Sequence, residues 1–479
     1  MFSWFKKGKI KSVFSSVGLG AVAWDSAGYG KRLSYWNPSD SSINSLLHAH
    51  VETLRTRSRD VVRKNPFASN ILDTIVANCI GTGIKPQPKI QDSVIKKELQ
   101  ILWLKWTDEA DFNGVSDFYG LQSLILRSVI ESGECFVRFC TNKRDSINQN
   151  NKTVPLQLQV LESEHLDSSK NYELSNGNVI KSGIEFNASG KRVAYYLFKT
   201  HPGEDKSCLE SVRIPASEIL HIYKVLRPGQ IKGEPWLSRV LLKLYELDQY
   251  DDAELVRKKT AAMFAGFVTR ADPEDNVLVS NNESSNFAGL EPGTMQFLDP
   301  GEDVKFTSPS DVGGNYEAFM RQQLRSIAVG VGITYEQLTS DLTMVNYSSI
   351  RAGLIEFRRR ASMIQHHLMV FQFCRPVWNR WCELAQISGI LKTSCDLQNV
   401  KWIPQGWDWV DPLKDQEAQK MAVRNGFKSR SEVVSEYGYD AEEIDAEIRE
   451  DNARADSFGV MFDSDARRAD INDSKTLRK

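Results

Sequence analysis

Apolar side chains recur at three- and four-residue steps along the first third of the chain, and this spacing predicts amphipathic helices. Four such segments stand out: Asn44 to Arg63, a segment with Ile71, Ile75, Asn78 and Cys79 that stops at Gly81, Val94 to Ala110, and a segment capped by Asp117. From Val154 to Tyr223 the period changes to two, which predicts strands. Helices followed by sheet indicate an α+β domain.

A long helix and a turn-rich insertion come next. Pro235 suits the first turn of a helix, and the apolar pattern predicts one from Gly233 to Ala265, about 50 Å long. Val268 to Gly313 then combines glycine and proline with short alternating runs, which predicts a small β insertion. A helix within a bundle and a disordered loop are the competing interpretations of these two segments.

The stretch from Gly314 to Phe373 has two helical patterns around a polar loop, Thr334 to Tyr347. The second helix is expected to begin near Ser348. From Ser326 to Ile350 there is no Lys or Arg, whereas a loop that grips nucleic acid places cations on the phosphates. This loop is therefore suited to touch a polyanion without holding it. On composition alone, an ordinary polar surface loop is the favoured interpretation.

The C-terminal part has clear helix-capping signals. Asp411 with Pro412, Ser429 with Glu432 and Asp440 with Glu443 predict three helix starts, and Gly426 and Gly438 suit the ends of the first two. Three tryptophans precede these helices: Trp402, Trp407 and Trp409. They are interpreted as packing aromatics rather than a stacking platform for bases, because no basic residue interleaves with them after Lys401.

Composition narrows the function classes. The 479 residues allow two to four domains, and 60 basic against 62 acidic residues leave a net charge of −2. A protein that clamps DNA normally shows a basic excess, so the balance suits a channel better. Seven cysteines do not form a disulfide framework and indicate reduced thiols in a cytoplasm. The N-terminal residues imitate a secretory signal but are interpreted as a flexible basic arm, and no apolar stretch is long enough to span a membrane.

Signals for catalysis or cofactors are weak. No GxxxxGK[ST] sequence is present, so ATP hydrolysis is not expected. Five residues have side chains that can bind a metal ion, but no HExxH-type spacing connects them, so they are not expected to form a site. They are Glu162, Glu164, His165, His201 and His221. No metal, cofactor or catalytic residue is predicted. A nuclease or packaging ATPase, and a purely structural capsid or scaffold component, remain the alternatives.

Several segments resemble the portal proteins of lambda-like tailed bacteriophages. The strongest are IAVGVGITYEQLTSD (Ile327 to Asp341) and NYSSIRAGLIEFRR (Asn346 to Arg359). KNPFASNILDTIVANCIGTGI, HPGE and WDWVDPLKDQEAQ also resemble the family. These matches follow the family's order from Asn65 to Gln419, about three quarters of the chain.

The resemblance implies the portal fold, with an α/β wing, a two-helix stem, a small β-containing clip, a long tunnel helix and a helical crown. The implied divisions are an arm (1–43), wing (44–232), first stem helix (233–266), clip (267–313), second stem helix (314–333), tunnel loop (334–348), long helix and wing return (349–400), and crown with tail (401–479).

The resemblance also implies a function: a homo-oligomeric ring of about twelve subunits at one capsid vertex, through which double-stranded DNA is packaged and ejected. The implied partners are the large terminase subunit, the major capsid and scaffold proteins, and head-completion or tail proteins. The implied place is the virion after assembly in the host cytoplasm, with no membrane and no enzyme activity. The candidate tunnel-loop residues are Thr339, Ser340, Asp341, Leu342, Thr343, Met344, Val345, Asn346, Tyr347 and Ser348. The candidate stem residues are Arg257, Lys258, Lys259, Arg321 and Arg325.

Overall fold

The computed structural model is a mixed helix and sheet protein, which confirms the predicted class. It describes residues 35, 37–141, 153–204, 210–262, 266–270, 302–306, 315–393, 397–407, 411–460, 462 and 465. The helices are α1 (Ile43–Lys64), α2 (Pro66–Cys79), α3 (Ser93–Thr107), α4 (Phe118–Ser132), α5 (Leu241–Ala262), α6 (Tyr316–Val331), α7 (Tyr335–Thr339), α8 (Tyr347–Met363), α9 (Arg375–Ile387), α10 (Pro412–Arg424), α11 (Arg430–Glu436) and α12 (Ala441–Phe458). A π-helical segment, Ile364–Cys374, joins α8 to α9.

The strands that the structure describes form four antiparallel sheets. They are β1 (Lys85–Pro88), β2 (Glu134–Thr141), β3 (Leu156–Leu161), β4 (Tyr172–Glu173), β5 (Val179–Lys181), β6 (Ile184–Phe186), β7 (Arg192–Phe198), β8 (Ser211–Pro215), β9 (Ile219–Tyr223), β10 (Gly266–Arg270), β11 (Glu302–Phe306) and β12 (Val400–Ile403). The orders are β3-β2-β9, β4-β5-β6-β7-β8, β1-β12 and β10-β11. The predicted order of helices and then strands up to Tyr223 is confirmed except for β1, which lies between α2 and α3 and pairs with β12.

Tryptophans pack together in the main core. Trp103 of α3 lies 4.9 Å from Trp378 of α9, ring centroid to ring centroid, so α9 packs directly onto α3. A buried indole N–H usually donates a hydrogen bond. Trp106 donates to the carbonyl of Leu156 and Trp378 donates to that of Leu397, both at 2.8 Å. The core is therefore continuous across segments that are far apart in the sequence.

A buried carboxylate holds the sheet to the segment that leads into α5. Glu134 is fully buried and contacts Arg55 at 3.1 Å, His221 at 3.0 Å and Lys232 at 3.7 Å. It also accepts a hydrogen bond from the backbone N–H of Gly233 at 2.9 Å. Burial by itself raises the pKa of Glu134, but the surrounding cations and the His221 hydrogen bond hold it below its usual range.

The long helix after this junction begins later than predicted. Pro235 has an extended backbone (φ −52°, ψ 132°), a 3-10 turn follows at Trp236–Arg239, and α5 begins only at Leu241. Residues 234 and 235 pass close to Gly133, where a Cβ would lie 2.6 Å from the carbonyl carbon of Glu234. This close contact accounts for the extended backbone at Pro235 and the later start of the helix. The chain must pass this contact before a helix can form.

The middle of helix α5 packs against the start of helix α6. The ring of Tyr250 stacks on that of Tyr316, with centroids 6.1 Å apart, and also contacts Phe319. The Tyr316 hydroxyl donates to Asp251, which raises the pKa of Tyr316 to about 12. Between the two helices the backbone forms the β10–β11 pair, so part of the predicted β insertion is confirmed. The predicted runs between them lie outside the described residues.

The chain then returns to the sheet. Gln372 of the π segment donates to the carbonyl of Tyr223 at 3.1 Å and accepts from its N–H at 3.0 Å. The amide thus replaces a neighbouring strand at the edge of β9. Of the three tryptophans near the C-terminus, Trp402 packs edge-on against Trp378 and Trp407 packs against Phe357. Both are packing residues, as predicted; Trp409 lies outside the described residues.

Candidate functional site

The segment between α6 and α8 begins with a left-handed glycine. Gly332 (φ 89°) caps α6, and its N–H bonds to the carbonyl of Ala328 at 2.8 Å. Immediately afterwards the chain forms a capping box: Gln337 N–H donates to Thr334 Oγ1 at 3.2 Å, and Thr334 N–H donates to Gln337 Oε1 at 3.0 Å. The first residues of the predicted polar loop are therefore the short helix α7. The T-x-x-Q spacing is the sequence signal that identifies it.

Helix α7 is attached to α2. Leu338 is 1% exposed and belongs to the main core. Asn70 donates from Nδ2 to the backbone carbonyls of Gln337 at 2.9 Å and Leu338 at 2.8 Å. These bonds satisfy carbonyls that the end of such a short helix leaves without partners. Asn70 was not among the predicted site residues, since sequence spacing does not show a contact between segments this far apart.

Asp341 organises the turn that follows. Ser340 has a left-handed backbone (φ 57°), which directs the chain away from α7. The Asp341 carboxylate accepts from the hydroxyl of Thr343 at 2.6 Å and from its N–H at 3.0 Å. Hydrogen bonds from Thr343 lower the pKa of Asp341, with a smaller contribution from Tyr335. The carboxylate thus stays ionised while it holds its own turn together.

The far end of the loop is fixed by the start of α8. Asn346 Oδ1 accepts from the N–H of Ser349 at 2.8 Å, a regular N-cap. Between the two anchored ends lies the tip, residues 342–345, where Leu342 is 60% exposed and Met344 is 76% exposed. Asp341 and Asn346 hydrogen-bond within the loop, and the two apolar side chains Leu342 and Met344 are exposed at its tip.

The candidate stem cations are engaged within their own protomer. Arg257 contacts Glu254 at 2.6 Å and Lys258 contacts it at 3.8 Å, while Arg321 pairs with Glu317 four residues earlier. The guanidinium of Arg325 lies over the ring of Tyr335, 5.5 Å from its centroid. Lys259 lies in the last turn of α5, where a cation suits the helix dipole. Two carboxylates, Glu254 and Glu317, therefore offset part of the charge of Arg257, Lys258 and Arg321 and reduce their attraction for phosphates.

Three of these five possible metal ligands lie close together in the structure. Carboxylate and imidazole atoms of Glu162, Glu164 and His201 lie within 4.8 Å of one another. The guanidinium of Arg59 occupies this position, 2.6 Å from Glu164 and 3.3 Å from Glu162. A resident cation already balances the carboxylates, so the donor set does not fit a metal ion. His221 lies elsewhere, on Glu134.

Two further expectations concern thiols and membranes. The described cysteines are free. Burial raises the pKa of Cys79, Cys135 and Cys382 to about 12 each, so these thiols are inert at neutral pH. Among the helices that the structure describes, none combines the length and hydropathy needed to cross a bilayer. Most of the basic arm, most of the clip segment and the end of the tail lie outside the described residues.

Comparison with known sequences gives one consistent family. The profile of the family described as "Phage portal protein, lambda family" matches residues 29–365. The chain is 28% identical over 436 residues to the "Probable portal protein" of Halomonas phage phiHAP-1, covering 87% of this chain and 83% of that protein. It is 22% identical over 484 residues to the "Portal protein" of Escherichia phage N15, with 89% of each covered. It is 21% identical over 485 residues to "Portal protein B" of Escherichia phage lambda, with 88% of each covered.

Solved structures also resemble the chain at low identity. A chain from the "Neck of native GTA particle computed with C12 symmetry" has a TM-score of 0.48 and 15% identity, with 80% of this chain and 93% of that chain covered. A chain from the "Virion of native gene transfer agent (GTA) particle" has a TM-score of 0.46 and 16% identity, with 84% and 94% covered. Scores of this size do not determine how the subunits of this protein are arranged.

Proposed function

The chain belongs to the lambda family of phage portal proteins, and from that premise we propose that about twelve copies close into a ring around a DNA channel. Phage portal proteins are components of the virion. In this proposal the ring occupies one capsid vertex, and the genome passes through it during packaging and again during ejection. A contact between two different faces of the subunit closes into a ring when its rotation divides a full turn.

The loop between α7 and α8 is the main support for the proposed DNA channel. Its two ends are anchored by Asn70 and by the Asn346 cap, and no cation lies between Ser326 and Ile350. A rigidly held loop without cations constrains a passing polyanion sterically and does not trap it, because phosphate affinity comes from Lys and Arg. Twelve or so such loops form a collar in a closed ring.

In the same proposal, the remaining segments correspond to the wing, stem and clip of the portal family. Residues 44–232 are the wing, α5 and α6 are the stem, and residues 267–313 are the clip. The β10–β11 pair at the ends of the two stem helices supports that place for the clip. There the proposal places the docking site for the large terminase subunit and later for head-completion or tail proteins. The major capsid and scaffold proteins are the proposed partners around the wing.

In this role the protein guides DNA through the ring and has no catalytic residues. The relatives' names carry no catalytic claim, and the acidic cluster nearest to a metal site, Glu162 with Glu164, is occupied by Arg59. The energy for packaging is therefore assigned to a separate motor.

Mass photometry of the purified protein tests ring formation. We expect one closed species whose mass is about twelve times the 54.3 kDa of the chain. A ladder of masses without an upper limit, or large shells, would instead favour an open-ended or capsid-type assembly.

A further inference from the structure

A cavity of about 710 Å³ lies between the 3-10 turn before α5, the end of α6 and the helix formed by α8 and the π segment. Its walls are largely apolar and include Val329, Phe357 and Phe371. Phe371 is 64% exposed and Val329 is 77% exposed. Apolar side chains this open at the mouth of a cavity mark a surface that another molecule covers.

Three cations surround the same cavity: Lys224, Arg239 and Arg360. None of the described residues that line it is Asp or Glu. Burial and the repulsion from Arg239 and Arg360 lower the pKa of Lys224. Arg360 has a loose contact with Glu356 of its own helix, at 3.7 Å. Lys224 also lies over the ring of Trp236, 4.5 Å from its centroid. This cavity, called here the cationic groove, therefore has a lining with three cations and no acid over apolar walls, and its occupant should be acidic and apolar at once.

In the part of the chain that the structure describes, helix α5 has a second, largely apolar stripe that is exposed. Leu241, Leu244 and Leu247 face the core, whereas Leu242 and Val256, on the opposite side, are 72% and 60% exposed. A helix that is apolar on two sides is normally covered on both.

The second stripe is called here the outer stripe: the apolar Leu242, Tyr245 and Val256 with the polar Gln249 among them, which recur at helical spacing. Glu246 and Asp252 flank it, one on each side, and both are exposed. From residue 241 to residue 255 the helix has five acids and one base. The outer stripe is therefore an acidic, apolar surface on a regular helix.

We propose that the cationic groove of one subunit receives the outer stripe of α5 from a second copy of the chain. This inference rests on the proposed ring and specifies its subunit contact. Both surfaces are apolar, their flanking charges are opposite, and they are different parts of one chain, as a head-to-tail contact requires. The apolar walls favour this occupant over a DNA backbone, which would use the cations alone.

Two double variants reverse the charge on each side. The groove variant is Lys224→Glu with Arg239→Glu, and the stripe variant is Glu246→Lys with Asp252→Lys. Each variant alone places like charges on both sides of every contact, so we expect the fraction of protein in rings at 150 mM salt to fall roughly tenfold or more. The matched controls reverse exposed charges elsewhere: Arg63→Glu with Lys64→Glu on α1, and Glu447→Lys with Glu450→Lys on α12. Both controls should assemble like the wild type.

Mixing the groove and stripe variants in equal amounts is the decisive step. In an alternating ring each altered groove meets an altered stripe and each native groove meets a native stripe, so all contacts are attractive again. We expect rings to return in the mixture, which also shows that both variants are folded. Rings from either variant alone at the wild-type level would overturn the inference, and so would a mixture that stays unassembled.

Two other outcomes separate the remaining explanations. If the wild type itself forms no rings, the proposed function fails, and the inference fails with it. If the groove variant forms rings normally but binds less double-stranded DNA than the wild type, the groove is a DNA site and only the inference about the subunit contact is wrong.

Discussion

Asn70 Nδ2 lies 2.8 Å from the backbone oxygen of Leu338, a hydrogen bond that joins residues 268 positions apart. It attaches the short helix at the start of the loop to α2. Leu338 is buried at the same point. The loop is therefore a supported element, and its support is separate from the residues at its tip.

Replacing Asn70 tests that support. Asn70→Ala removes two donations to backbone carbonyls, each worth about 1 kcal/mol, so we expect the amides of residues 337–345 to exchange with deuterium roughly ten times faster or more. Asn78→Ala is the matched control, because Asn78 donates to Thr74 within α2. Equal exchange of the loop in both variants would show that Asn70 does not hold it.

Shortening the loop tests its role in the channel. Deleting Ser340 to Val345 removes the tip and leaves the α7 capping box and the Asn346 cap in place. We expect rings to form normally, while most filled, infectious particles are lost in a phage that depends on this protein. A Gly-Ser replacement of equal length is the control for chain length. Normal yields of filled particles from the deletion would contradict the proposed steric role.

The clip assignment is tested by a deletion that the β10–β11 pairing makes possible. Arg270 and Glu302 are opposite one another in the pair, so residues 271–301 can be replaced by a two-residue turn without separating the strands. We expect unchanged ring assembly and melting temperature but loss of binding to the large terminase subunit. Undiminished binding of the motor would place its docking site elsewhere.

The buried His221 predicts a pH dependence. Burial lowers its pKa in the folded chain below the usual value of 6.5, although the hydrogen bond that His221 donates to Glu134 raises it. Below pH 6.5 the unfolded chain therefore binds more protons, and stability decreases as the pH falls, by at most about 1.4 kcal/mol per pH unit for one proton. The lowered pKa of Glu134 has the same sign but acts below its usual value of 4.5.

Calorimetry at pH 7.5 and 5.5 measures this effect. The control is His221→Gln, which keeps a donor for Glu134 and does not titrate. We expect the melting temperature of the wild type to fall more than that of the variant over this range. Equal decreases would mean that His221 is protonated in the folded protein as readily as in the unfolded chain.

Much of the fold was predictable from the sequence because its signals are local. The Asp117, Ser429 and Asp440 caps and the alternation of apolar and polar residues in β3 are visible within a few residues. The helix start at Leu241 was not predictable, because a distant contact with Gly133 displaces it.

The site itself depends on contacts that no local pattern contains. Nothing around Asn70 indicates that it bonds to Leu338. The cations of the cationic groove, Lys224, Arg239 and Arg360, come from three separate segments. Helix α7 is the exception, since the spacing of Thr334 and Gln337 is a recognisable capping box.

Negative-stain electron microscopy of the purified chain tests the central claim most directly. The preparation should come from cells that also express the capsid and scaffold genes of the same phage, so that assembly factors are present. We predict class averages of closed rings with about twelve-fold symmetry and a central channel. Monomers or shells under the same conditions, above all if the preparation also cuts plasmid DNA in the presence of a divalent metal, would contradict the portal account.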